Sequence, residues 1–218
     1  DHTTRRRIRS IDSSLVVRNS TFTNIADPGV APATDNRSEH IWGRGIPDGG
    51  QWLLEGNTFG HVTGHNDAVD FDAPRHPAPI PIIRNNLFVG GGDDALDMTG
   101  DVYVEGNIFR NFIKDQFNTD PGESNTISAS SGDFRVVRNV FDHVQHASLV
   151  KEDAFMYFLN NTVTDAEVSP LYFDLPGQTS GPGRGALVEG SIFVTEVPVF
   201  DYVTDTIDLT VDYSFLPT

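Results

Sequence analysis

The sequence predicts an all-β solenoid of about eight coils, and three observations predict it. A short strand motif closed by an aromatic or aliphatic residue recurs eight times along the 218 residues. Asn recurs two positions before that closing residue. The 20 Gly and 13 Pro supply many turns, which suits short strands and not long helices.

In chain order the copies are Val16–Phe22, Leu53–Phe59, Ile82–Phe88, Tyr103–Phe109, Arg135–Phe141, Tyr157–Val163, Ala186–Phe193 and the degenerate Leu209–Phe215. The intervals between their last residues are 37, 29, 21, 32, 22, 30 and 22 residues. A fixed coil with loops inserted at some corners produces such spacing. A helical-hairpin array does not, because the repeated segments are short and β-rich. A sandwich or propeller is the alternative all-β arrangement, and in it the Asn repeat would be accidental.

The column before the closing residue reads Ser20, Asn57, Asn86, Asn107, Asn139, Asn161, Ser191 and Tyr213. Asn tolerates left-handed turn geometry, and stacked amides hydrogen-bond along a column. Arg18, Glu55, Arg84, Glu105 and Arg138 open the same turns, so stacking sets opposite charges on neighbouring strands until Leu159 interrupts them. Each coil needs a second core strand. Its inward residues are expected at Val69, Leu96, Leu149, Leu171 and Val199, with either Phe117 or Ile127 filling the fourth coil. Insertions at 27–50, 72–81, 118–132 and 174–185 are expected to project as loops, either as a groove wall or as plain decoration of the coil.

Hydrophobic residues make up 38% of the chain, enough for one domain spanning 1–218 with its own core. The net charge of −16 argues against nucleic acid, whose phosphates need a basic surface. No apolar run reaches membrane-spanning length, so membrane insertion is not expected. Absence of Cys excludes disulfides and Cys-based zinc sites. The ends resemble those of a domain excised from a larger protein, with flanking domains or partner chains covering the coil ends.

The acids are mostly Asp, a residue suited to turns and to hard cations. Asp67, Asp70 and Asp72 lie in one coil, and Asp93, Asp94, Asp97 and Asp101 in the next. Val69 and Leu96 point inward, so Asp70 and Asp97 point outward. Stacking sets Asp70 beside Asp97 and Asp67 beside Asp94. Neighbouring carboxylates stay ionised only with a compensating cation. Asp67, Asp70, Asp72, Asp93, Asp94 and Asp97 are therefore candidate Ca²⁺ ligands, the alternative being pairing with Arg or with backbone amides. His61, His65, His143 and His146 sit near turns and are expected as turn donors.

The V-x-x-N-x-F motif, the coil length and the Asn column resemble the right-handed parallel β-helix of the pectin-lyase-like superfamily. The resemblance implies an extracellular or periplasmic protein that acts on polysaccharide. It implies Ca²⁺ neutralising a uronate carboxylate while a Lys or Arg takes the C5 proton, for which Lys151 and Arg138 are candidates. Asn66-Asp67 and Asp93-Asp94 are also similar to the acidic signatures of polygalacturonase-type hydrolases, which makes Asp94 a catalytic candidate. That family's following Gly-His-Gly and Arg-Ile-Lys motifs have no counterpart in the coil after Asp94. The acidic strand is similar, too, to β-helix segments of large secreted proteins, where it implies a calcium-stiffened spacer or a glycan-binding surface.

Overall fold

The computed structural model describes residues 6–27, 38–119, 122–174 and 181–217. Their strands stack into three parallel sheets, and neighbours in each sheet lie three strands apart in sequence. This is a parallel β-helix. The first sheet stacks Ile8–Ile11, Ile41–Arg44, Val69–Asp72, Leu96–Thr99, Asn125–Ser130, His146–Lys151, Leu171–Tyr172 and Phe200–Asp201. The second stacks Leu15–Arg18, Trp52–Glu55, Pro81–Arg84, Val102–Glu105, Asp133–Val137, Phe155–Leu159, Gly185–Glu189 and Asp208–Asp212. The third carries seven strands of two to five residues, from Thr21–Phe22 to Ile192–Val194. Eight coils at ~4.8 Å spacing span roughly 34 Å. Among the described residues no helix is long and apolar enough to cross a membrane.

The repeated motif forms the second sheet, a turn and the third sheet. Its closing aromatics stack inside the solenoid, with ring centroids 4.7 Å apart for Phe22–Phe59, 4.6 Å for Phe59–Phe88, 4.8 Å for Phe88–Phe109 and 5.1 Å for Phe109–Phe141. The sixth coil closes on Val163, and Phe158 from the preceding strand bridges Phe141 to Phe193 instead.

The Asn column is a continuous buried ladder. Asn107 Nδ2 donates to Ile83 O and to Asn139 Oδ1, while its Oδ1 accepts from the backbone and side-chain nitrogens of Asn86. The left-handed residue is the one before each Asn: Asn19, Gly56, Asn85, Gly106, Arg138, Asn160, Gly190 and Tyr213 all have φ between 47° and 66°. Gly or Asn occupies six of these eight places because they carry the smallest penalty there. The column Asn is thus selected by its amide and not by turn geometry. In the last coil Ser214, not Tyr213, continues the column, its hydroxyl oxygen accepting the Ser191 N–H at 3.1 Å. Beside the ladder, Glu55 pairs with both Arg18 and Arg84, and Arg138 pairs with Glu105.

Register resolves the fourth coil. Leu96 pairs with Ile127, and Phe117 lies in an exposed loop. In the next coil Ser148 takes the place opposite Ile127, and Leu149 pairs with Ser128 on the outward face. Leu149 is still fully buried, so the expectation of an inward Leu149 was off by one position. Strands Asn125–Ser130 and His146–Lys151 are buried on both faces, which removes the alternation that reveals register. Val199 joins the core, while Phe200 is the residue paired with Leu171. Of the expected groove walls, positions 28–37, 120–121 and 175–180 lie outside the described residues. The described part of the last insertion returns along the coil, with Pro182 in an antiparallel bridge to Lys151.

Candidate metal centre

The acids gather where the first sheet begins. Strand register places Asp97 directly against Asp70 and Thr99 against Asp72. One turn back along each coil, the Ala68 N–H bonds the Asp94 carbonyl, which holds Asp67 alongside Asp94. Both juxtapositions agree with the sequence expectation.

Two triads of carboxylates result. Asp67, Asp93 and Asp94 bring oxygens within 4.8 Å of one another, and so do Glu39, Asp67 and Asp70. Asp67 belongs to both. Relative exposure is 0% for Glu39, 5% for Asp67 and 7% for Asp94, so the centre is largely out of water. These buried acidic clusters could hold a metal ion. Oxygen-only donors at this density are the chemistry of a hard cation.

Electrostatics follow from that crowding. Burial, and then the carboxylates of Asp93, Asp97, Asp94 and Asp70, push the Asp67 carboxyl well above the usual carboxylate range. Burial, Asp93 and Asp97 do the same to Asp94, opposed by Lys151 and by the Asn125 N–H that donates to Asp94 Oδ1 at 2.9 Å. Burial works against charge on Lys151, yet Asp97, Asp94, Glu152 and Asp67 outweigh it and raise its pKa. Lys151 is therefore held as an ammonium by the field of the acids. Arg6 Nε donates to Glu39 Oε2 at 2.8 Å, while the buried Glu39 Oε1 has no hydrogen-bond partner among the described residues. His65 Nδ1 lies 3.0 Å from Asp93 Oδ2.

The other expected residues lie elsewhere. Asp72 is exposed at the far end of its strand, accepts from the Thr99 hydroxyl, and is outside both triads. Asp101 accepts the His76 and Asp133 backbone N–H groups at the next corner, a turn role. Arg138 sits in the turn between the second and third sheets, paired with Glu105, whereas the acids open the first sheet. Asn66 fixes the backbone before Asp67: its Nδ2 donates to the Asp27 and Thr63 carbonyls, and its Oδ1 accepts from Ser38 N–H. His146 is buried, bonded to Ser169 O and stacked on Tyr172. Burial lowers its pKa against the opposing Ser169 bond. His143 pairs with Asp165 on the surface.

Glu39 is the residue that sequence reasoning missed. It stands 28 positions before Asp67, the same offset as the Ile41–Val69 pairing, but only the strand register shows that. No protein-family model matches the chain, and no curated protein matches it.

Proposed function

We propose that this chain is a Ca²⁺-dependent, polysaccharide-active β-helix protein working outside the cytoplasm, with the cation held by Asp67, Asp93 and Asp94. The observation that carries this is the mutual 4.8 Å approach of the three carboxylates, two of them buried. Ca²⁺ takes six to eight oxygens at about 2.3–2.6 Å, so positions left over on the solvent side suit the carboxylate of an acidic sugar. Bound there, the cation would supply charge neutralisation of a uronate.

The chain's own residues do the rest. Asp70 and Asp97 extend the acidic face outward. Lys151, two coils further along the same sheet and within the electrostatic field of Asp97 and Asp94, is the group assigned to proton transfer or to pairing with substrate. Desolvation is the largest influence on Lys151 and favours its neutral form, while the acids oppose it. A cation on Asp67 and Asp94 removes part of that support and moves Lys151 toward its neutral, basic form. Arg138 has no part in this scheme.

A second function has its own support. Lys151 held as an ammonium against buried acids also describes a calcium-stiffened glycan-binding module without catalysis. Calorimetric titration of chelated protein with Ca²⁺ tests what the two share, and absence of binding heat together with an unmoved melting temperature rejects both. Ultraviolet absorbance of unsaturated products from alginate, pectate and ulvan, with and without Ca²⁺, separates them. Product release that Lys151→Ala abolishes supports the enzyme, and saccharide binding without product supports the module.

A further inference from the structure

We infer that the first and last described coils of this 218-residue chain are complementary halves of one interface, and that copies of the chain stack end to end in coil register. Among the described residues, Ile8–Ile11 and Leu15–Arg18 border one end of their sheets, and Phe200–Asp201 and Asp208–Asp212 border the other. Each edge presents a row of backbone N–H and C=O groups that templates another parallel strand.

Charge selects the occupant. The first coil, positions 6–22, carries Arg6, Arg7, Arg9 and Arg18 against one acid, Asp12. The last coil, positions 196–217, carries five acids and neither Lys nor Arg. One end is basic and the other acidic, so two identical molecules attract head to tail.

Register sharpens this into residue pairs. Following the strand pairings from coil to coil, the column that starts at Leu15 ends at Leu209, and the column from Val17 ends at Val211. The column from Arg18 ends at Asp212, and in the first sheet the column from Arg9 ends at Asp201. One further coil step therefore sets Leu15 of the next copy on Leu209, Val17 on Val211, Arg18 on Asp212 and Arg9 on Asp201. Apolar meets apolar, and both charged positions meet their opposites. The chain already uses this device internally, where Glu55 lies between Arg18 and Arg84. Exposed apolar surface collects at the acidic end, with Phe215 61% and Tyr213 88% exposed. The contact is heterologous, so repeating it gives open filaments and not closed dimers.

The test uses sedimentation at low ionic strength across a concentration series, with two charge-reversed variants. Wild type is expected to gain mass with concentration and to lose it in high salt. Asp201→Arg/Asp212→Arg puts arginine at both ends of the two registered charge columns, and Arg9→Asp/Arg18→Asp puts aspartate at both. Each variant alone is expected to associate roughly a hundredfold more weakly or worse. Mixed in equal amounts, their ends are again complementary and assembly returns, an outcome that misfolded variants could not give. A wild type that stays monomeric up to millimolar concentration overturns the inference and leaves the ends to a flanking segment or another protein. Assembly that survives both reversals, or that the mixture fails to restore, overturns it as well.

Discussion

Asp67→Asn is the sharpest perturbation of the proposed centre, because Asp67 is the one carboxylate common to both triads. The amide keeps the shape and removes the charge, so the effects with and without cation have opposite signs. In chelator the substitution deletes a buried acid crowded by Asp93, Asp97, Asp94 and Asp70, and the variant melts above wild type. With Ca²⁺ at a hundred times the dissociation constant, wild type gains about 2.7 kcal/mol. At ~2–4 °C per kcal/mol for a chain of this length, that is an upward shift of ~5–11 °C. Losing one charged ligand of three weakens binding at least roughly tenfold, or ~1.4 kcal/mol. At the same Ca²⁺ concentration the variant's shift is therefore smaller by ~3–5 °C. Differential scanning calorimetry in chelator and in Ca²⁺ measures both numbers. A variant that melts below wild type in chelator and keeps the full Ca²⁺ shift refutes the reasoning.

Chelated wild type is expected to lose stability as pH rises. Asp67 and Asp94 bind protons more tightly folded than unfolded, so their contribution is complete below about pH 4 and fades as pH climbs through their raised folded pKa values. Melting curves across pH check this, and saturating Ca²⁺ should flatten the slope. Lys151→Met removes the ammonium that competes with a cation for Asp94 and Asp97, so Ca²⁺ affinity measured by calorimetry should rise several-fold; an unchanged or weaker affinity would separate Lys151 from the centre. Asn107→Ala strands the Asn86 N–H and the Ile83 carbonyl in the core, at about 1–3 kcal/mol each. Urea unfolding should register a loss of roughly 3 kcal/mol, and a loss below 1 kcal/mol would mean that water replaces the ladder.

The coil architecture was legible because its signals are local. The motif from Tyr103 to Phe109 contains a strand, a left-handed Gly, a ladder Asn and a stacked Phe, each readable without knowing its neighbours. The Asp70–Asp97 contact was legible because two similar strands, Val69–Asp72 and Leu96–Thr99, share an unbroken alternation. Register failed where alternation failed, at Leu149 in a strand buried on both faces. The ladder end failed at Tyr213 because Ile192 pairs with Phe215, which lengthens that last step by a residue. Glu39 was invisible for a different reason. It precedes its strand, copies no motif, and meets Asp67 only through a coil whose length the sequence does not mark. Lys151 was a candidate from its coil order, but its electrostatic coupling to Asp97 and Asp94 shows only once the coils are stacked.

The Asn ladder and the acidic column obey the same geometry with opposite consequences, and this is the strongest physical reason to expect a ligand. Stacking sets like residues ~4.8 Å apart. An amide is both donor and acceptor, so a column of Asn satisfies itself, as Asn86, Asn107 and Asn139 do. A carboxylate only accepts, so a column of acids cannot. At the start of the first sheet the column runs Glu39, Asp67, Asp94, Asn125, His146. Its last two members bring donors, and Asn125 N–H already serves Asp94. The first three have Arg6 at one edge and the Lys151 field at the other. Asp67 sits between them, and its field comes from other acids. A proton or a metal ion must meet that deficit, and the oxygen spacing around Asp67 suits the ion.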